Sequence, residues 1–155
     1  MNYPEKMLES MPELHLENQF CFSLYSLSRR VTQKYTQLLK PLNITYPQYL
    51  VLLVLWQHRE AGQCSINIGQ LTQALNLDTG TVTPLLKRME AKKLLTRARS
   101  TKDERIVVIT LTKAAIALRE QAKKIPQSLL CQSSVEPQEV FEMRDKLKQM
   151  LSLLA

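Results

Sequence analysis

The sequence predicts a mainly α-helical fold with a small β-hairpin, and three observations support that prediction. Over most of the chain the apolar residues recur in steps of three and four, which is the spacing of helices packed by one face. Residues 95–111 instead follow a period of two and are rich in β-branched side chains. With 155 residues, 45% of them apolar, the chain suits one compact unit that buries a core of its own.

The N-terminal part of the sequence predicts two helices. The first covers about residues 13–39, because Ser10 and Glu13 have the spacing of a capping box and Pro41 ends the apolar pattern. Its aromatic and apolar content predicts that it packs against more than its own chain. Thr45 is the expected N-cap of the second helix, and the leucine-rich run that follows indicates a buried core helix. A polar loop is expected over residues 59–65.

Two shorter helices are predicted next, joined by a turn at Asn76 and Leu77. The first covers about residues 68–75. Asp78 is the expected N-cap of the second, and Pro84 within it implies that this helix either starts near Thr81 or bends. The residues expected to face inward from the second helix are Val82, Leu85, Leu86 and Met89.

Residues 95–99 and 105–111 then predict a two-stranded hairpin with a charged tip. Thr112 can cap a helix running toward Leu130 that Pro126 bends or ends, and an amphipathic helix is expected over about residues 137–153. Short helix, turn, helix and charged hairpin is the element order of a winged helix-turn-helix. We therefore expect a winged helix-turn-helix region, 46–111, and a helical dimerisation region made of residues 1–45 and 112–155.

The basic residues are concentrated in the winged region. The net charge is +7, and residues 76–113 hold nine Lys or Arg against four Asp or Glu. This concentration indicates a surface for a polyanion, with double-stranded DNA as the first candidate, although a solvated charged face would give the same count. The second helix of such a motif enters the major groove, and the hairpin tip can reach a minor groove.

The candidate DNA-binding residues follow from that geometry. Hydroxyl groups and cations in the exposed part of the second helix can meet bases or phosphates. Asp103 could orient the Arg105 guanidinium through a charge-assisted bond, and the alternative is an ordinary surface pair. The candidates are Thr79, Thr81, Thr83, Lys87 and Arg88 on the helix, and Lys102, Asp103 and Arg105 at the hairpin tip.

Composition argues against several other classes of protein. Three glycines are too few for a phosphate-cradling loop, and two histidines without closely spaced partners form no metal-binding pattern, so no cofactor or metal is expected. The longest apolar run is eight residues, against about 20 for a membrane span, and the N-terminus has no apolar signal core. We expect a cytoplasmic protein with no membrane partner, in which Cys21, Cys64 and Cys131 are reduced thiols.

Two groups of residues resemble a known family. Residues 77–89, LDTGTVTPLLKRM, followed by Asp103-Glu-Arg105 and Leu111-Thr112, resemble the MarR family of winged-helix repressors. Residues 18–25, NQFCFSLY, and 45–51, TYPQYLV, are similar to its organic hydroperoxide resistance regulators. The resemblance covers about residues 18–112. It implies a homodimeric repressor that leaves a pseudo-palindromic operator once an organic hydroperoxide oxidises one cysteine, which corresponds to Cys21.

The resemblance also implies which groups surround that sulfur. Three tyrosines do so in this family, and the matching positions here are Tyr25, Tyr35 and Tyr46. In the two-cysteine type of regulator, a C-terminal cysteine of the partner subunit resolves the oxidised thiol; Cys131 is the candidate here, and a small-molecule thiol is the alternative. Cys64 matches no family position and receives no role.

Helix arithmetic independently links the thiol to a dimer. Cys21 and Tyr35 are 14 residues apart, so on one helix they lie within roughly 40° of one azimuth but roughly 21 Å apart along the axis. A contact between them would need a second chain running antiparallel. The chemistry needs a thiolate, which attacks the peroxide to give a sulfenic acid, and phenol O–H groups can bond the sulfur anion.

Two other functions compete with peroxide sensing. One is a MarR-like repressor released by a small aromatic ligand, with Cys21 incidental. The other is a thiol peroxidase, against which the chain has no CxxC pair and no recognisable peroxidase motif around Cys21, so we do not expect an enzyme. The sequence names neither the operator nor the peroxide.

Overall fold

Seven α-helices and three short β-strands make up the parts of the chain that the computed structural model describes, residues 11–101, 103–131 and 135–154. The chain divides into two units, Met1–Lys34 and Tyr35–Ala155. The elements are α1 (Phe20–Leu39), α2 (Tyr46–Glu60), β1 (Ser65–Asn67), α3 (Ile68–Leu75), α4 (Thr79–Ala91), β2 (Leu95–Arg99), β3 (Val107–Leu111), α5 (Lys113–Ala122), α6 (Ile125–Cys131) and α7 (Pro137–Leu153).

The first unit holds two 3₁₀ turns over residues 12–18 and most of α1. The predicted helix start at residue 13 is wrong, and Ser10, the expected cap, lies outside the described residues. One reason for the later start is that the Asn18 side-chain amide donates to the Pro12 carbonyl at 2.7 Å, which satisfies that carbonyl without an α-helical bond. None of the described residues of this unit is buried.

In the second unit, α2 is the central core helix that the sequence predicts. Thr45 caps it in a capping box with Gln48, whose side chain accepts the Thr45 N–H at 3.1 Å. Val51 and Leu52 are fully buried, and Trp56 donates its ring N–H to the Ala115 carbonyl at 3.0 Å. This helix therefore connects the winged region to α5.

The sheet has three antiparallel strands in the order β1-β3-β2, so the predicted two-stranded hairpin is incomplete. The hairpin strands are in place, with Arg97 opposite Ile109, and β3 begins at Val107 rather than at Arg105. The additional strand β1 starts at the end of the predicted polar loop and pairs Ile66 with Ile109. Both isoleucines are buried, which explains why a three-residue segment forms a strand at all.

The helix-turn-helix follows the predicted order. Asn76 adopts a left-handed conformation (φ 54°) and ends α3, as expected of the turn there. Helix α4 begins at Thr79 and continues through Pro84, so the proposed start near Thr81 is wrong. All four residues predicted to face inward from α4 are buried.

The C-terminal helices also match the predicted pattern. Thr112 caps α5 by accepting the Ala115 N–H at 3.2 Å. The helix ends at Ala122, and Pro126 stands in the first turn of α6, where its missing N–H costs little. Helix α7 has the predicted bounds.

Lys93, between α4 and β2, adopts a left-handed conformation (φ 57°) that favours glycine. The Lys93 N–H donates to the Glu90 carbonyl at 2.8 Å, and the Leu94 N–H donates to the Met89 carbonyl at 3.0 Å. These two bonds form a Schellman motif with Lys93 at the position where glycine is most common. A lysine there carries backbone strain.

We expect Lys93→Gly to stabilise the protein by about 0.5–1 kcal/mol, a rise in Tm of about 1–4 °C, because glycine relieves the strain at positive φ. Thermal unfolding followed by circular dichroism measures the change. Lys92→Gly is the matched control: Lys92 has an ordinary φ of −80°, and its ammonium donates to the Asn43 carbonyl, so glycine should destabilise there. A lower Tm for Lys93→Gly would contradict the assignment of strain.

Within the described residues, no single helix is long and apolar enough to cross a membrane; α1 and α2 reach the required length and composition only together, as a bent pair.

Candidate functional site

The N-terminus of α4 is organised by Asp78. One carboxylate oxygen accepts the Thr81 N–H at 2.8 Å, and the other accepts the Thr81 hydroxyl at 2.6 Å. These bonds, the hydroxyl bond first, hold the pKa of the Asp78 carboxyl below its usual value. Because the hydroxyl proton goes to Asp78, Thr81 in this arrangement offers DNA an acceptor rather than a donor.

The outer side of α4 carries the other predicted contacts. Thr79, Thr81, Lys87 and Arg88 are exposed, and Thr83 is half-buried. The buried side of the same helix packs into the core, so the helix presents its polar side to solvent as a rigid unit. The structure therefore places all five predicted α4 residues where DNA could reach them, with Thr83 the least accessible.

We call the hairpin of β2 and β3 the wing, and its tip is held by short-range hydrogen bonds. The Ser100 N–H donates to the Ile106 carbonyl at 2.8 Å and closes the turn. Asp103 Oδ1 accepts the Arg105 N–H at 3.0 Å and faces the Arg105 Nε at 3.4 Å, so the predicted contact between these side chains is present. The Arg105 side chain is 93% exposed. Lys102 lies outside the described residues.

Two arginines of β2 have roles in the wing that the sequence analysis missed. Arg99 donates to the Glu104 carbonyl at 3.4 Å and braces the turn. Arg97 donates to Glu90 of α4 three times: its N–H and Nε at 3.0 Å each, and a terminal guanidinium N–H at 2.6 Å. These bonds lower the pKa of Glu90, the side-chain bond contributing most. The only sequence feature that could have indicated these roles was the alternation of Arg97 and Arg99 along β2.

The predicted sensor residues fall into two groups. In the first unit, Cys21 is exposed on α1, and Tyr25 lies one turn further along the same face. Arg29, another turn on, donates to the Tyr25 hydroxyl at 3.3 Å, and its guanidinium lies 5.6 Å from the ring centroid. The Tyr25 hydroxyl accepts this bond and keeps its own proton available for a further acceptor.

In the second unit, Tyr35 and Tyr46 are brought together with a third ring, Tyr49. The ring centroids of Tyr35 and Tyr46 are 4.6 Å apart, and those of Tyr35 and Tyr49 are 5.8 Å apart. Burial raises the pKa of each phenol, that of Tyr49 to about 12. The sequence analysis treated Tyr49 only as part of an apolar run and missed its membership of this cluster.

The remaining thiols are accessible. Cys131 is exposed at the end of α6, and Cys64 is exposed in the loop before β1. All three cysteines are free. In the part of the chain that the structure describes, no group of three His, Cys, Asp or Glu side chains could hold a metal ion.

Comparison with known proteins identifies the family. A family model described as the transcriptional regulator SarA/Rot matches residues 33–125. The organic hydroperoxide resistance transcriptional regulator of Bacillus subtilis is 43% identical over 148 residues, which cover 96% of this chain and 97% of that protein. The chain belongs to the MarR/SarA family of winged-helix transcriptional regulators. The predicted resemblance and the predicted fold class are confirmed, whereas the two-cysteine type stays a prediction.

Solved structures of this regulator family place the same fold on DNA. Reduced AbfR bound to DNA matches with a TM-score of 0.74 and 34% identity, covering 92% of this chain and 96% of that one. A disulfide-formed structure of AbfR, a protein of Staphylococcus epidermidis, matches with a TM-score of 0.64 and 35% identity, covering 92% and 94%. The relatives of this MarR/SarA member are DNA-binding transcriptional regulators and not enzymes.

Proposed function

We propose that this regulator is a homodimeric repressor that releases a pseudo-palindromic DNA operator when an organic hydroperoxide oxidises Cys21. The observation that carries the proposal is the exposed Cys21 thiol with Tyr25 one turn away, in a chain 43% identical to an organic hydroperoxide resistance regulator over nearly its whole length. The DNA-binding half of the proposal is supported by the exposed polar side of α4 and by the exposed Arg105.

The proposed sensor chemistry begins with the Cys21 thiolate. It attacks the terminal oxygen of the hydroperoxide, the O–O bond breaks, an alcohol leaves after taking up a proton, and Cys21 becomes a sulfenic acid. Phenols donate hydrogen bonds to a sulfur anion, while their rings favour an apolar peroxide. Tyr25 of the same helix, and Tyr35 and Tyr46 of a partner chain, are the proposed donors.

The exposed apolar side chains of the first unit support a dimer. Phe20, Leu24 and Leu27 are each at least 40% exposed, whereas other apolar side chains of this protein form a buried core. An apolar helix face of this kind favours burial against another chain. Two antiparallel copies of α1 would bring Cys21 of one protomer toward Tyr35 of its partner.

The sulfenic acid can be resolved in two ways. Cys131 of the partner can attack it, forming a disulfide and releasing water. A disulfide-formed structure is known for the relative AbfR. A small thiol can instead form a mixed disulfide with Cys21. Either adduct changes the packing around α1, and a change in the spacing of the two α4 helices would remove the match to an operator.

A second candidate function has one observation in its favour. A groove of about 690 Å³ lies along α2 and α5, with Tyr49, Leu53 and Trp56 on its apolar side and two cations beside two acids, Arg119, Lys123, Glu60 and Glu120, on its polar side. Arg119 is paired with Glu60, so the aromatic rings are the feature that suits a small aromatic ligand and fits a repressor released by one.

Titration of the wild-type protein on DNA tests the proposed function. A duplex selected from a randomised pool by the reduced protein serves as the probe, and fluorescence anisotropy reports binding. We expect affinity to fall steeply with salt, by a log–log slope of about −0.9 per phosphate contact, and equimolar cumene hydroperoxide to release the duplex. Intact-mass analysis should then show one added oxygen, a mixed disulfide or an intersubunit crosslink. A protein that selects no duplex, or one that stays bound with Cys21 oxidised and resolved, would refute the proposal.

A further inference from the structure

Glu90 and Arg97 connect the last turn of α4 to the middle of β2. Arg97 Nε and one terminal guanidinium nitrogen both donate to Glu90 Oε2, and the Arg97 backbone N–H donates to Oε1. The pair is partly shielded, since the side chains of Arg97 and Glu90 are 22% and 35% exposed. Three bonds that use both oxygens of one carboxylate fix orientation as well as distance, which a lysine or a single hydrogen bond does not.

The pair spans the only covalent connection between the helix and the wing. Three residues, 92–94, join α4 to β2, and the middle one is the left-handed Lys93. The turn and the pairing of β2 with β3 place the strand. The Glu90–Arg97 contact, three residues beyond the turn, adds a direct side-chain connection between α4 and β2.

Backbone pairing and hydrogen bonds hold the wing together from Arg97 to its tip. Residues 95–99 pair in register with residues 107–111, the Ser100–Ile106 bond closes the ladder, and Asp103 holds Arg105. A change in the angle of β2 at Arg97 would therefore move Arg105 as part of one body. At about 3.3 Å per residue, the strand from Arg97 to Ser100 alone is a lever of roughly 10 Å.

We propose that Glu90 and Arg97 are positioning residues for DNA binding: they set the angle between α4 and the wing so that Arg105 reaches its groove while α4 occupies the neighbouring one. Arg97 is then not expected to contact phosphate, because its Nε and one terminal guanidinium nitrogen donate to Glu90. The inference rests on the proposed DNA-binding function and adds a residue pair that touches no DNA.

Glu90→Gln tests the proposal because charge and geometry predict opposite effects on DNA binding. Glu90→Gln removes a negative charge, which on electrostatics alone should strengthen DNA binding. Loss of this three-bond contact should instead weaken it, because glutamine keeps only one acceptor oxygen and cannot accept both the guanidinium bonds and the Arg97 N–H. We expect about a fivefold higher Kd for the selected duplex. Glu104→Gln is the matched control: it removes the same charge from the wing without touching the pair, and its Kd should be unchanged or lower.

Arg97→Met should weaken binding by a similar factor, although it changes the net charge in the opposite direction. Equal losses from variants of opposite charge would exclude a simple electrostatic cause. The melting temperature of each variant is measured beside its Kd. Should either variant melt near the assay temperature, Arg97→Lys replaces it, since lysine keeps the charge and the aliphatic stem but not the fork; a weakened Kd is again expected.

A double-mutant cycle with Arg105→Ala decides between positioning and general damage. Because the pair is proposed to act through Arg105, removing Arg105 from Glu90→Gln should raise the Kd by only about twofold, against about tenfold in the wild-type background. The inference is overturned if Glu90→Gln binds as tightly as wild type, if the two losses multiply independently, or if Arg105→Ala has no effect. A wild-type protein that selects no duplex would instead refute the proposed function itself.

Discussion

Replacing Cys21 by serine is expected to abolish peroxide-driven release of DNA while leaving binding by the reduced protein unchanged. Serine keeps the size of the side chain and the exposed position on α1, and its hydroxyl does not ionise to a nucleophile near neutral pH. The residues proposed to bind DNA lie in the other unit of the chain. We expect the concentration of cumene hydroperoxide needed for half-release to rise by at least about 100-fold.

The chain offers a matched control for this experiment. Cys64 is also an exposed, free thiol, so Cys64→Ser removes an equivalent sulfur from a loop with no proposed role. Its response to peroxide should equal that of the wild type. If peroxide still releases DNA from Cys21→Ser, the thiol mechanism is ruled out and the aromatic-ligand alternative is favoured. Titration with small aromatic acids then tests that alternative directly.

Cys131→Ser refines the same experiment. If the partner's cysteine resolves the sulfenic acid, this variant should accumulate oxidised Cys21 without an intersubunit crosslink, and release should then require an added small thiol. If a small thiol is the normal resolving group, Cys131→Ser should behave like the wild type. Non-reducing gels and intact mass distinguish the two outcomes.

Replacing Arg105 by alanine is expected to have the largest effect on DNA binding itself. The side chain is nearly fully exposed at the tip of a braced turn, where insertion into a minor groove is favoured by the negative potential there. We expect the Kd for the selected duplex to rise about tenfold, and the salt dependence to weaken by about one unit of slope.

Arg144→Ala is the comparison for Arg105→Ala. Arg144 lies on α7 and pairs with the neighbouring Asp145, with its Nε 2.8 Å from a carboxylate oxygen, so the two substitutions remove the same kind of ion pair and the same charge. Binding should be lost only in Arg105→Ala. Equal effects of both would mean that net charge, rather than a groove contact, carries the affinity.

Local signals explain which parts of the fold the sequence could predict. Asp78, Thr45 and Thr112 each act within three residues of their partners, so their caps were readable from spacing alone. The strand β1 was not readable, because it depends on pairing with residues more than 40 positions away. Two 3₁₀ turns precede α1, and they include a side-chain bond over six residues that no periodicity reveals.

The candidate site shows the same division between local and tertiary information. Individual residues of α4 and the wing could be predicted from element order, and Asp103 and Arg105 are close in sequence. The contact between Glu90 and Arg97 could not, since it depends on how a helix end and a strand meet across a left-handed turn. Tyr49 joins Tyr35 only because the two rings, 14 residues apart in sequence, meet in the folded second unit.

The tyrosine cluster has a consequence for spectroscopy. Because the pKa values of Tyr35, Tyr46 and Tyr49 are all raised, these phenols keep their protons throughout the range around pH 8.5 in which an ordinary thiol ionises. Ultraviolet absorbance of the thiolate should therefore be free of tyrosinate from this cluster across that range. The rate of peroxide consumption, followed against pH, would then trace the ionisation of sulfur without interference from these three rings.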